Sequence, residues 1–300
     1  MPLRHLLLAL AVVAVWGSNF VVIKLGLAQL PPLLFATLRF VFAVLPAVLF
    51  LRRPAVPWRE LAAYGVLIGA GQFGLLYLAM HGHISPGLAS LVVQTQVFFT
   101  IGLSMRISHE RLQSFQWAAL VLAVAGIAVI AAHTDADTSV LGLVLVLLAA
   151  LSWAAGNLVA RRAVGVNMLA YVVWASLFSV PPLLLLSLVF EGPASMLHGL
   201  QQASMATWAA VLWQSVGNTL FGYAAWAWLL ARHPAATVSP MALLVPVFGM
   251  AASAFWLGES LPGWKLGAAA LVLAGLATNV FWPRWRSLWR TTPAVTKDLP

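Results

Sequence analysis

The side chains best placed to bind something in this 300-residue chain are amides beside aromatic rings, set within apolar runs. Trp16 and Asn19 are three residues apart, and Trp153 and Asn157 are four apart. Gln214 and Asn218 are also four apart, so each pair shares one face of a helix. Gln72, Gln94, Tyr77, Trp213, Tyr223 and Trp226 add amides and rings in the same kind of surroundings. Hydrocarbon penalises such groups unless each has a partner or an aqueous cavity to face. Amides bond both ammonium and carboxylate, while ring faces receive apolar groups and cations. A cavity walled this way suits a zwitterion with an apolar side chain. The plainer alternative is interhelical hydrogen bonding, worth about 0.6 kcal/mol per bond.

The elements that must carry these residues are membrane helices. The chain is 62% hydrophobic and 8% charged, with mean hydropathy +0.96. A soluble domain is nearer 45–50% apolar and roughly 25% charged. Ten runs have about the 20 residues a crossing needs: 5–27, 33–51, 61–80, 86–105, 112–131, 140–161, 168–190, 207–230, 235–257 and 263–282. A β-barrel would instead alternate over about ten residues. The opening MPLRHLLLALAVVAVWGS looks like a signal peptide, but its apolar run continues past Ser18 and Trp16 spoils a small-residue cleavage site, so an uncleaved first span is expected.

Placing the N-terminus inside puts all the cations except Lys24, Arg39 and Lys265 on the inner side, among them Arg52, Arg53, Arg106, Arg161, Arg162 and Arg232. Both termini are therefore expected in the cytoplasm. The excess of cations punctuates apolar runs and forms no patch, so no nucleic acid partner is expected. The tail FWPRWRSLWR should lie along the inner headgroups.

The two halves repeat. Asn19 to Lys24 aligns with Asn157 to Arg162, and at a second offset Glu110 meets Glu259, Phe115 meets Trp264 and Gly126 meets Gly275. Each half holds five spans, an odd number, so the second half must lie upside down relative to the first. The expected architecture is an all-α membrane protein of ten transmembrane helices built as two inverted five-helix repeats, 1–139 and 140–283, with a basic and aromatic cytoplasmic tail over 284–300. Inverted repeats are characteristic of secondary transporters.

The chain resembles the drug/metabolite transporter superfamily, in its ten-helix EamA type. The residues that carry the resemblance are W-G-S-N-F-x-x-x-K (Trp16 to Lys24), T-L-R-F (Thr37 to Phe40), A-S-L-V-x-x-x-x-V (Ala89 to Val97), and the glutamate–glycine pairs Glu110/Gly126 and Glu259/Gly275. The fourth span has Val97 where the ninth has Pro246. Within that type it looks most like exporters of aromatic amino acids. The resemblance implies an inner-membrane exporter of aromatic and other neutral amino acids, working by alternating access through a central cavity. Other small metabolites or drugs are the alternative substrates, and a membrane-embedded enzyme or scaffold is the distant one.

Trp16, Asn19, Gln72, Tyr77, Gln94, Trp153, Asn157, Trp213, Gln214, Asn218 and Tyr223 are the expected cavity residues. Lys24, about 5 Å from its helix end, either snorkels to the headgroups or binds a carboxylate. Arg39, about 9 Å deep, either pairs with an outer-side acid or a helix carbonyl, or attracts an anion. Glu110 and Glu259 are expected to cap helix starts, with a gating salt bridge as the sharper reading. Gly71, Gly74, Gly217, Gly222, Pro240 and Pro246 are candidate hinges or close-packing sites. The chain has no cysteine, and no catalytic motif or intramembrane acid pair, so no cofactor, metal or enzymatic role is expected. The expected partners are a small-molecule substrate, the lipid bilayer and at most a second copy in a weak homodimer.

Overall fold

The computed structural model describes residues 1–108, 113–133, 138–163 and 165–290. Glu110, Arg111, Asp135, Asp137 and the tail beyond 290 lie outside them. Regular structure among the described residues is helical. Nine helices there are long and apolar enough to cross a membrane: Leu3–Gly26, Pro32–Phe50, Trp58–Met80, Pro86–Arg106, Ser114–Ala132, Val140–Ala160, Met168–Phe190, Ser239–Leu257 and Gly263–Trp282. The eighth crossing follows a continuous helical path over 205–232. Gln214, Ser215, Asn218 and Thr219 lie buried in its middle and dilute its apolarity. The protein is thus an all-α, multi-pass membrane protein, with ten crossings in two inverted sets of five.

Local chemistry sets the helix ends. Pro32 and Pro86 open the second and fourth spans at a position where a missing N–H costs nothing. Ser139, Asn167 and Ser204 cap the sixth, seventh and eighth spans by accepting from Gly142, Ala170 and Thr207 backbone N–H groups. Gly258, at φ 67°, ends the ninth.

The packing obeys the repeat. The first span packs on the ninth as the sixth does on the fourth. The eighth lies against the first as the third lies against the sixth, and the second pairs with the seventh. The fifth and tenth spans also pack extensively on each other. There the repeat mates Gly126 and Gly275 have matching surroundings. A Cβ on Gly126 would come 2.9 Å from the Ala268 carbonyl oxygen, and one on Gly275 would come 2.6 Å from that of Ala119. Helices without a hydrophobic drive between them associate through such small-residue seats.

Two further regularities sit inside the spans. The third contains a π-helical stretch, Leu67–Gly74, and the eighth another, Trp213–Phe221. Gly71, Gln72 and Tyr77 correspond at one constant offset to Gly217, Asn218 and Tyr223. The fourth span tightens to 3-10 geometry at Val93–Thr95, and the ninth at Ser239–Leu244. The fourth span has no proline beyond its opening Pro86, so the shared departure belongs to the fold and not to Pro240 or Pro246 alone.

Gly126→Leu or Gly275→Leu should therefore cost about 1–3 kcal/mol and lower the unfolding temperature in detergent. Gly102→Ala, where an added Cβ meets nothing within 4 Å, is the matched control and should leave it unchanged.

Candidate functional site

At the centre of the bundle lies Arg39, 1% exposed. Its Nη1 donates to Gln214 Oε1 at 2.9 Å and to Tyr77 Oη at 3.3 Å. Its Nη2 donates to Thr219 Oγ1 at 3.1 Å. The guanidinium carbon stands 3.6 Å from the centroid of the Phe73 ring, a cation–π contact. Tyr77 Oη donates in turn to Gln214 Oε1 at 2.9 Å, and Gln214 Nε2 donates to Asn19 Oδ1 at 2.7 Å. Ser215 Oγ donates to the Arg39 carbonyl at 2.9 Å. One network thus joins the first, second, third and eighth spans, and with them both halves of the chain.

The π stretches help to build it. A wider turn lets Gln214, Ser215, Asn218 and Thr219 all face inward, where α geometry would spread them further around the helix. Thr219 Oγ1 donates to the Gln214 carbonyl five residues back, the spacing of a π turn, so its oxygen is fixed as an acceptor for Arg39. Beside the network, Trp16 Nε1 donates to the Asn218 carbonyl at 3.2 Å. The Trp16 ring lies 6.0 Å from Tyr223 and 5.1 Å from Trp226. Gly222 makes room for it: a Cβ there would sit 2.3 Å from Trp16 Nε1.

Two expectations change here. Arg39 does not pair with an outer acid or a helix carbonyl; its partners are neutral side chains. The outer acid Glu191 is already engaged, accepting from Leu33 and Leu34 backbone N–H groups at 2.6 and 3.0 Å and from Ser187. It caps the second span instead. Nor is the amide-lined centre an open, uncharged cavity. The amides close on one another and on the guanidinium, leaving a cleft of about 10 Å³ against Tyr64, Ser176, Ser179 and Tyr223.

The remaining candidates are distributed as follows. Asn157 donates to Gln96 Oε1 at 3.0 Å, a separate pair between the sixth and fourth spans. Gln94 donates to the Ala242 carbonyl at 3.3 Å, across to the 3-10 segment of the ninth. Gln72 is buried, and its Oε1 has no partner among the described residues. Trp153 is half-buried against the core. Trp213, 38% exposed, falls outside the inward arc of Gln214, Ser215, Asn218 and Thr219 and lies at the periphery of the bundle. Gly71 and Gly74 lie in the first π stretch, and Gly217 lies in the second, next to Gly222. A Cβ on Gly71 would meet Ser152 Oγ, so this glycine also serves close packing.

On the outer side, Glu259 does not cap its own helix. It accepts from Ser85 Oγ at 2.5 Å and from the Gly87 N–H at 3.0 Å, capping the fourth span of the opposite half. Ser253 also donates to it, and Lys265 Nζ lies 3.1 Å away. Lys24, 3.5 Å from the Met80 carbonyl oxygen, joins Glu259 and Lys265 around a cavity of about 300 Å³. Sequence reasoning missed Thr219, Phe73, Ser85 and the Lys265 pairing. Lys265 was the one with a signal, an intramembrane-edge cation six residues after an acid.

A family model, described as the EamA-like transporter family, matches this chain twice, over residues 3–132 and 140–281. The chain belongs to the EamA-like transporter family. Among relatives, a protein of Salmonella typhimurium named "Probable amino-acid metabolite efflux pump" is 42% identical, covering 95% of this chain and 97% of its own length. One of Escherichia coli with the same name is 40% identical over 93% and 95%. A "Probable terminal-alkyne amino-acid exporter" of Streptantibioticus cattleyicolor is 28% identical over 88% and 89%. A solved crystal structure shares the fold, with TM-score 0.63 and 19% identity over 95% of this chain and 99% of that one.

Burial pushes the Glu259 carboxyl up, but the bonds from Ser253, Ser85, the Gly87 N–H and Lys265 outweigh it and hold the group below its ordinary value. Its stabilising effect is therefore full above the usual glutamate range, about 4.3, and is lost as pH falls through the depressed value. Glu259→Gln should lower stability by on the order of 2 kcal/mol at neutral pH and flatten this part of the acid limb in pH-dependent unfolding.

Proposed function

We propose that this protein is an inner-membrane secondary transporter that exports amino acids, neutral and aromatic ones among them, by alternating access between its two inverted halves. The observation that carries this reading is the buried network of Asn19, Arg39, Tyr77, Gln214 and Thr219, to which both halves contribute polar groups. Polar groups held inside a membrane bundle mark a solute route more often than a lipid-facing wall. The printed names of the Salmonella, Escherichia and Streptantibioticus relatives support amino acids and related metabolites as cargo. Other small metabolites are the second reading, favoured by the word "metabolite" in two of those names.

In this proposal both termini are cytoplasmic, the halves run over 1–139 and 140–283, and the transporter works as a monomer or a weak homodimer. The cation distribution supports the orientation. The closed central cleft and the outer bond set around Glu259 support a cycle in which an occluded state opens to one side at a time.

Counterflow of labelled neutral L-amino acids in proteoliposomes is the direct test, with unrelated metabolites as controls. Asn19→Ala and Asn157→Ala should each reduce it several-fold while the protein still folds; normal flux in both would remove the amides from the route. Alkaline phosphatase fused after residue 290 should be inactive if that end is cytoplasmic, and active fusions would reverse the orientation.

A further inference from the structure

We propose that Arg39 is the docking group for the carboxylate of the exported substrate, an assignment that rests on the export reading above. The side chain is 1% exposed, and a guanidinium cannot shed its proton to escape burial. A charge in that position needs an opposite charge or a very good set of dipoles. Its three side-chain hydrogen-bond partners are all neutral: a tyrosine hydroxyl, an amide oxygen and a threonine hydroxyl. Among the described residues one ion pair exists, and it is Lys265 with Glu259 at the outer surface. The other described acids are placed elsewhere: Glu191 caps the second span, and Glu60 lies in the first turn of the third.

The geometry leaves one edge of the guanidinium for a ligand. Nε has no partner, and Nη2 spends one of its two N–H bonds on Thr219. These two nitrogens form the side edge of the planar fork, which matches the two oxygens of a carboxylate. Arg39 also lines the central cleft together with the hydroxyl-bearing Tyr64, Ser176, Ser179, Thr219 and Tyr223. The cleft, about 10 Å³, is too small for an amino acid as it stands, so loading requires the second and seventh spans to part from the third and eighth. Tyr77 and Gln214 already bond one another at 2.9 Å, so they can hold the Nη1 side of Arg39 while the opposite edge takes the ligand. The repeat does not explain the cation. The corresponding stretch of the seventh span, Trp174 to Ser179, contains no charged residue.

The test uses the full chain in proteoliposomes, with the neutral L-amino acids and their carboxamides, which keep the ammonium and lack the carboxylate. In the wild-type protein the free acids should compete for counterflow and raise the unfolding temperature, with the amides weaker by roughly thirtyfold or more. Arg39→Gln should fold, lose transport by a similar factor and lose the acid-induced rise in unfolding temperature. Arg39→Lys should recover part of both. Acids and amides acting equally on the wild type, or a folded Arg39→Gln with wild-type KM for the acids, would overturn the assignment and leave the export reading standing. A wild-type protein that moves no amino acid sinks that reading and this inference together. Should Arg39→Gln fail to fold, the acid–amide comparison on the wild type decides alone.

Discussion

Hydrocarbon offers no hydrogen bonds, and every polar group inside this bundle answers to that constraint. The consequence is a division of labour among the spans. The fifth and tenth carry only small and apolar residues at mid-depth and interlock through Gly126 and Gly275. A set of polar side chains gathers on the first, second, third and eighth and bonds together: Asn19 with Gln214, Gln214 with Tyr77 and Arg39, Arg39 with Thr219.

The repeat gives this arrangement its geometry. Matching departures from α geometry in the third and eighth spans, and again in the fourth and ninth, show that irregular backbone is built into the fold at two levels. Such backbone is tolerated at membrane depth where neighbouring protein satisfies the freed groups. Ser152 and Ser179 illustrate this, donating to the carbonyls of Leu67 and Gly65 at the start of the first π stretch. Glu259 extends the same logic to the surface, closing a helix end of one half with a carboxylate of the other.

Span number, inversion and the small-residue seam could be read from the chain, because they follow from apolar run lengths, an odd count per half and the Gly126/Gly275 correspondence. The partners of Arg39 could not. Tyr77, Gln214 and Thr219 come from distant positions, and Thr219 reaches it through a π turn that no residue pattern announces. Depth counting put Arg39 near the limit of snorkelling and looked for an outer acid or a helix carbonyl, since a buried cation with neutral side-chain partners is the less common outcome. Trp213 differs for a simpler reason: a run of Trp-Gln reads as one polar-aromatic motif, yet the inward arc of this helix begins at Gln214 and leaves Trp213 exposed. Tyr77 and Tyr223 were each legible as residues of interest, but their equivalence emerged only once the π stretches aligned them.

A scaffold with two-fold character thus carries its innermost charge on one side only. Such a cation senses the voltage across the bilayer, where a full crossing of the field is worth about 2.3 kcal/mol per 100 mV. If access switches from one face to the other, the aqueous boundary shifts past Arg39 even when the backbone hardly moves. Part of the membrane potential then drops on a different side of the guanidinium. On the export cycle proposed above, the carriage of an electrically neutral cargo would thereby become sensitive to the energised state of the cell.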